Sequence, residues 1–249
     1  MDFWVIFLPI LGIFVIIVLI LALPRMICER VPSIEAIDDP DVAKAFERMA
    51  NTPPFKLLRR KVISTIKKLN PKGKLVDIGC GSGNLIIQIA ESSLDLDLTG
   101  IDLSEEIISA AVKKAEKNGV KEKIKFEIGS VEKLPFPDDS IDFIVSTLSL
   151  HHWSEPLISF KEISRVLTKD GICLVFDFRR NSRKFFYGLL TFATKIVVPK
   201  PLKRINEPLG SLKAAFNTSE IVQLLTEISS IKFEIEPYLA WMFIKIEKN

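Results

Sequence analysis

The run Leu75-Val76-Asp77-Ile78-Gly79-Cys80-Gly81-Ser82-Gly83 limits what this chain can fold into more than any other. A β-type pattern enters a loop with glycine at every second position, and residues 84–90 continue with helical spacing. Glycine there supplies positive φ or room for a ligand to touch backbone, and the helix that follows offers free N–H groups to an anionic group. A dinucleotide fingerprint would read GxGxxG; this loop reads GxGxG, with Asn84 where the third dinucleotide glycine would stand. A phosphate-binding P-loop would need Lys-Ser/Thr after the glycines, and none is present.

Asp102 follows Asp77 by 25 residues and ends a second strand-like run, residues 94–102. An acidic side chain at that end, across from the glycine loop, can accept both hydroxyls of a ribose. The plainer role is a solvated strand end that caps the next helix. Loop and carboxylate together suit a nucleoside ligand without a pyrophosphate.

Around these motifs the periodicity alternates. Strands are expected at 74–78, 94–102, 124–128, 141–146 and 172–178, and helices at 84–90, 104–118 and 156–167. Ser104 serves as an N-cap, and Gly119 lies just past the helix end. Helices are also expected near 41–49, at 55–69 and from Thr218 to Ile228. The runs 231–235 and 239–246 form a closing antiparallel pair. The expected fold is α/β: a Rossmann-like, seven-stranded, mostly parallel sheet with an antiparallel C-terminal strand and helices on both faces.

With VDIGCGSG (76–83), GIDLS (100–104), GSVEKLPFPDDSIDFIVS (129–146) and LHHW (150–153) in order, the chain resembles the class I S-adenosylmethionine-dependent methyltransferases, in particular the branch acting on small molecules and lipids. The resemblance covers residues 62–174 and, more loosely, the C-terminal strand pair. It implies S-adenosyl-L-methionine as cofactor. Its methionine portion would lie over Gly79, Cys80, Gly81 and Gly83, with Asp77 organising the loop from beneath. Asp102 would hold the ribose, Leu103 would lie along the adenine, and Val131 and Glu132 would flank it. Where the family commonly has Gly-Asp-Ala-Glu, this chain has Gly129-Ser130-Val131-Glu132. The Ser130 hydroxyl can still accept from the adenine amino group without charge assistance, a difference of about 1 kcal/mol.

Ligands in open α/β sheets sit beyond the carboxyl ends of the strands, so residues 146–153 face the pocket. Both histidines of the chain, His151 and His152, lie here. Either can take a proton from an acceptor, and either can instead pack or cap a helix. Asp177, at the end of the fifth strand, is a third candidate for catalysis. Trp153 fits the core or a substrate wall. Three separated cysteines and two adjacent histidines offer no metal site, and none is expected.

The N-terminus adds a different expectation. Residues 3–23 are 21 consecutive uncharged positions, and they account for most of the high mean hydropathy of +0.27. At about 1.5 Å per residue they would span roughly 31 Å, close to a bilayer core. The absence of a preceding Lys or Arg favours an uncleaved anchor over a cleaved leader. Arg25 and Arg30 on the far side place the following domain in the cytoplasm. The expected organisation is a transmembrane anchor at 1–24, a connector with a short helix at 25–55, and a methyltransferase domain at 56–249, in a single-pass membrane protein.

Within that domain, residues 178–206 carry eight basic residues and no acidic one, leaving the rest of the chain at −5. Residues 181–198 plot as an amphipathic helix with Phe185, Leu189, Phe192 and Ile196 on its apolar face. Three readings compete: a helix pressed on anionic lipid, a buried cap helix with solvated flanking charges, and a nucleic-acid surface. The first is preferred and the last disfavoured, because the aromatics share a face with aliphatics. The expected function is methyl transfer to a small or lipid-like acceptor at the membrane surface. The alternatives are a protein or RNA methyltransferase and a non-catalytic cofactor-binding scaffold.

Overall fold

The computed structural model describes residues 5, 7–9, 11–12, 15, 18, 22–33, 39–92 and 94–249. Helices α1 (Pro40–Ala50) and α2 (Pro53–Leu69) each begin at a proline, whose fixed φ suits the first helical turn. Then come β1 (Lys74–Ile78), α3 (Asn84–Ala90), β2 (Asp97–Asp102), α4 (Glu105–Lys117), β3 (Ile124–Ile128), β4 (Ile141–Thr147), α5 (Pro156–Val166) and β5 (Leu167–Phe178). Helix α6 (Lys184–Phe192), a π-helical turn at Ala193–Val197, α7 (Lys200–Arg204), α8 (Leu209–Ala214) and α9 (Thr218–Thr226) precede β6 (Ile231–Tyr238) and β7 (Trp241–Lys248). Ser104 caps α4, its hydroxyl accepting from Ile107 N at 3.3 Å.

The seven strands form one sheet in the order β3-β2-β1-β4-β5-β7-β6. Strands β1 to β5 run parallel, and β7 pairs antiparallel with both β5 and β6. The sheet expected from the sequence is therefore present. Alternating side chains fill two cores. Val76, Ile144, Val175 and Ile244 face Phe160, Ile163, Ile221 and Leu225 from α5 and α9. Leu75, Phe143, Val145 and Phe176 face Val62, Ile66, Ile86 and Ile89 from α2 and α3. Strand order reverses between β1 and β4, which opens a crevice beyond their carboxyl ends, where this architecture binds ligands.

Two expectations need correction. The membrane-spanning helix placed at residues 3–23 falls about half outside the described residues. Among those described, no helix is long and apolar enough to cross a membrane, which takes about 20 consecutive apolar residues. The single-pass localisation, the membrane-surface site, the lipid-bilayer partner and the cytoplasmic placement derived from that helix are therefore withdrawn.

The second correction concerns residues 181–198. The inward side of α6 and the π turn carries Tyr187 and Thr194, not Phe192 and Ile196, which are exposed. Tyr187 packs with Leu209, Leu212 and Ala215, and its hydroxyl donates to Arg180 O at 2.8 Å. The helix packs its Tyr187 side on its own domain and leaves its apolar side outward; with no membrane-spanning helix among the described residues, its expected membrane contact has no support.

Candidate active site

The glycine loop joins β1 to α3 in a tight backbone path. Gly79 has φ +68°, and a Cβ there would stand 2.3 Å from Ser149 Oγ, so only glycine lets the two loops touch. Gly81 has φ +54° and nothing within 4 Å of the position a Cβ would take; its face is open. Asp102, at the tip of β2, accepts from Gly81 N through Oδ2 at 2.9 Å and from Ser104 N through Oδ1 at 3.3 Å. It therefore stands across from the loop and also steadies it, with lone pairs on both oxygens left for a diol.

Beneath the loop, Asp77 is 1 % exposed, and neither carboxylate oxygen has a hydrogen-bond partner. Burial, reinforced by the charge of Asp102, raises its pKa well above the usual carboxylate range. An orphaned buried carboxyl group needs a donor or a cation, and S-adenosylmethionine carries an ammonium and a sulfonium. The residues present therefore fit that cofactor. Burial, then the charges of Asp77 and Asp102, push the Cys80 thiol well up as well, which keeps it from acting as a nucleophile.

Along the adenine side, Leu103 is 71 % exposed, an apolar surface available to a base. Val131 is buried. The Ser130 hydroxyl accepts from Glu132 N at 3.2 Å, and Glu132 Oε1 accepts from Glu155 N at 3.2 Å, at the start of α5. The Glu132 side chain is thus turned to the helix.

At the other end of the crevice, His151 is buried on the short 3-10 turn Leu150–His152. Its Nδ1 lies 2.7 Å from Asp177 Oδ1, and its backbone N donates to Asp177 Oδ2 at 2.9 Å. With a carboxylate at Nδ1 the proton belongs there, so Nε2 presents its lone pair; it is buried and has no hydrogen-bond partner. Burial pulls the His151 pKa down, but the charge and hydrogen bond of Asp177 outweigh it and leave the value above the usual 6.5. His152, its ring centroid 4.1 Å away, is lowered to about 3 by burial and by His151. Trp153 is buried edge-on against Phe160 and donates to Ser149 Oγ at 3.1 Å, which places it in the core.

Several contributors escaped the sequence reading. Glu47, on α1, accepts from Ser82 Oγ, from Asn84 Nδ2 at 3.1 Å and from Lys114 Nζ, tying the connector helix to the glycine loop. Arg30 donates to His151 O at 3.1 Å and to Ala214 O at 2.6 Å, stacking over Phe216. Ser33 Oγ lies 3.1 Å from His152 Nδ1. Glu207, 2 % exposed, accepts from Ser211 Oγ at 2.5 Å, and burial raises its pKa. None belongs to a local motif; each meets the site only where the chain crosses itself.

A seven-stranded sheet of this order, with a glycine loop and an acidic strand tip at its crevice, defines a nucleoside-binding methyltransferase fold. The family described as "Methyltransferase domain" matches residues 69–208. The chain belongs to it: this is a class I S-adenosylmethionine-dependent methyltransferase domain, with S-adenosyl-L-methionine as its cofactor.

Among curated proteins it is similar to the uncharacterized methyltransferase YcgJ of Bacillus subtilis (strain 168), 36% identical over 104 residues, 42% of this chain and 40% of that one. It is also similar to the ubiquinone/menaquinone biosynthesis C-methyltransferase UbiE of Rickettsia massiliae (strain Mtu5), 32% identical over 144 residues, 55% of this chain and 57% of that one. These matches span only about half the length of those relatives. Among solved structures, the plantazolicin methyltransferase BamL superposes with a TM-score of 0.68 at 18% identity, covering 86% of this chain and 92% of that one, which is a likeness of fold.

Proposed function

We propose that the chain transfers the methyl group of S-adenosyl-L-methionine to a small acceptor bearing an ionisable O–H or N–H, or a carbon activated by one. In this reading His151 takes the acceptor's proton at Nε2, and Asp177 holds the imidazole in the required tautomer. The observation that carries it is the buried His151 whose Nδ1 is committed to Asp177 while Nε2 has no partner. When bound, the cofactor supplies a sulfonium-activated methyl group for in-line displacement. The protein's part is alignment and exclusion of water, which can supply much of the rate.

Asp102, Asp77 and the loop at Gly79, Cys80, Gly81 and Gly83 hold the donor, with Leu103, Ser130 and Val131 on its adenine side. Arg30 fixes the backbone of His151 from above, and α1, pinned by Glu47, covers the loop. His152, with a pKa of about 3, stays neutral and serves as wall. Incubation with labelled methyl donor and a small-molecule extract, followed by mass identification of the product, tests the assignment. Label appearing only in protein or RNA would reject the small acceptor, and no labelled product would leave a cofactor-binding scaffold.

A further inference from the structure

Buried polar side-chain atoms are almost always hydrogen-bonded, so those that are not point to something the site is built to receive. Among the described residues eight such atoms lack a partner. Two are the oxygens of Asp77 and one is His151 Nε2, at the cofactor and acceptor ends; a fourth is Arg59 Nε. The other four lie elsewhere. Arg179 Nη1, Asn181 Oδ1 and Ser182 Oγ lie on the turn between β5 and α6, and Trp241 Nε1 lies on the start of β7, paired with Phe178.

Three chain segments meet at this turn. Arg179 donates from its backbone N to Ala240 O at 2.9 Å and from Nε to Leu239 O at 3.0 Å, which fixes it against the β6–β7 hairpin. Met26 N donates to Ser182 O at 2.8 Å, and Arg25 forms a β-bridge with Arg183. Arg179 is 5 % exposed and has no carboxylate partner among the described residues, whereas the neighbouring Arg180 has Glu220. A buried guanidinium without a counter-ion is costly, and arginines at 25 and 183 add charge of the same sign. Burial, then the charges of Arg25 and Arg183, depress the Arg179 pKa accordingly.

We propose that this turn is an anion site that takes a phosphate group, with Arg179 as its buried donor, Ser182 as a further donor on the same turn, and Arg25 and Arg183 as flanking cations. Guanidinium is matched to phosphate oxygens in geometry as well as charge, and one phosphate answers the missing counter-ion and the unpaired Arg179 and Ser182 donors, though not the Asn181 Oδ1 acceptor. The turn follows Asp177 closely, at the carboxyl end of β5. Its ligand is inorganic phosphate or a phosphate ester of a small molecule.

The test uses the full chain, titrated with inorganic phosphate and separately with glycerol phosphate at constant ionic strength, reading the unfolding midpoint and tryptophan fluorescence. A saturable response to either probe, absent with chloride, is expected, because a ligand of the folded state raises the midpoint with concentration. The tighter probe identifies the source of the phosphate. Affinity should fall at least tenfold in Arg183→Gln and in Arg25→Gln, with cofactor affinity by calorimetry unchanged, and the response should vanish in Arg179→Gln. If Arg179→Gln fails to fold, the two rim variants carry the test. A response no different from chloride, or rim variants that bind phosphate as tightly as the unmodified chain, would overturn the site.

Discussion

His151 Nδ1 and Asp177 Oδ1 stand 2.7 Å apart in a buried contact that joins the turn after β4 to the end of β5. Asp177 also accepts from the backbone N of His151 and of Phe178, so its carboxylate is held by three donors. Such a pair sets both the tautomer and the basicity of the imidazole.

Because Asp177 holds the His151 pKa above 6.5, the base form is populated only as pH rises through that value. The rate should climb with pH on a limb lying above pH 6.5. Asp177→Asn should lower kcat by about 10²- to 10⁴-fold, the span of a general base, and move the limb to lower pH. A pH profile of kcat measures both, and an unmoved limb would reject His151 as the titrating base.

The two histidines should separate cleanly. His152 is neutral throughout the working range, its pKa lowered to about 3. His152→Gln should therefore keep the acidic limb in place, while His151→Gln should abolish it and most of the rate. Paired pH–rate curves on the same acceptor decide between them.

Asp102→Ala removes the acceptor for Gly81 N as well as the proposed ribose contact. A hydrogen bond to a charged group contributes about 1.5–3 kcal/mol, so the cofactor Kd should rise by roughly 10- to 100-fold. Calorimetry with S-adenosylhomocysteine reads this directly. An unchanged Kd would mean that Asp102 only caps the next helix.

Gly79→Ala would drive a methyl group into Ser149 Oγ at a positive φ. The αL penalty alone is about 1–2 kcal/mol, and displacing Ser149 also takes away the acceptor of Trp153 Nε1. Lowered thermal stability and weakened cofactor binding should appear together; a variant unaltered in both would contradict the observed loop contact.

Glu47 lies outside the matched family region, yet it bonds Ser82, Asn84 and Lys114. Burial raises its pKa, but the Lys114 and Ser82 hydrogen bonds outweigh this and leave it below 4.5. Its stabilisation is therefore present above about pH 4.5 and lost as pH falls through the folded value. Glu47→Ala should weaken cofactor binding by about tenfold, roughly 1.4 kcal/mol, and remove this part of the acid sensitivity. Calorimetry and acid unfolding curves of the two proteins check it.

The βα units were readable because each is local. Glycines at 79, 81 and 83 reach the positive φ that a tight strand-to-helix turn needs, Ser104 caps its own helix, and apolar residues recur at the period of the element they build. Boundaries moved where a neighbouring strand supplied hydrogen bonds. Strand β5 begins at Leu167, because Leu167 pairs with Ile141 ahead of a register shift, rather than at 172. On α6 the side that turns inward was not legible: the apolar side with Phe192 and Ile196 is exposed, and Tyr187 is buried, its hydroxyl donating to Arg180 O.

The amino-acid order by itself determined the sheet class, the glycine loop and the acidic strand tip, since these rest on φ preferences and short-range periodicity. Only the tertiary structure decided that Asp177 serves His151, that Glu47 braces the loop, and that Arg179 is left without a counter-ion. Those relationships join residues tens of positions apart, and their energies exist only once folding has brought the partners together and excluded water from between them.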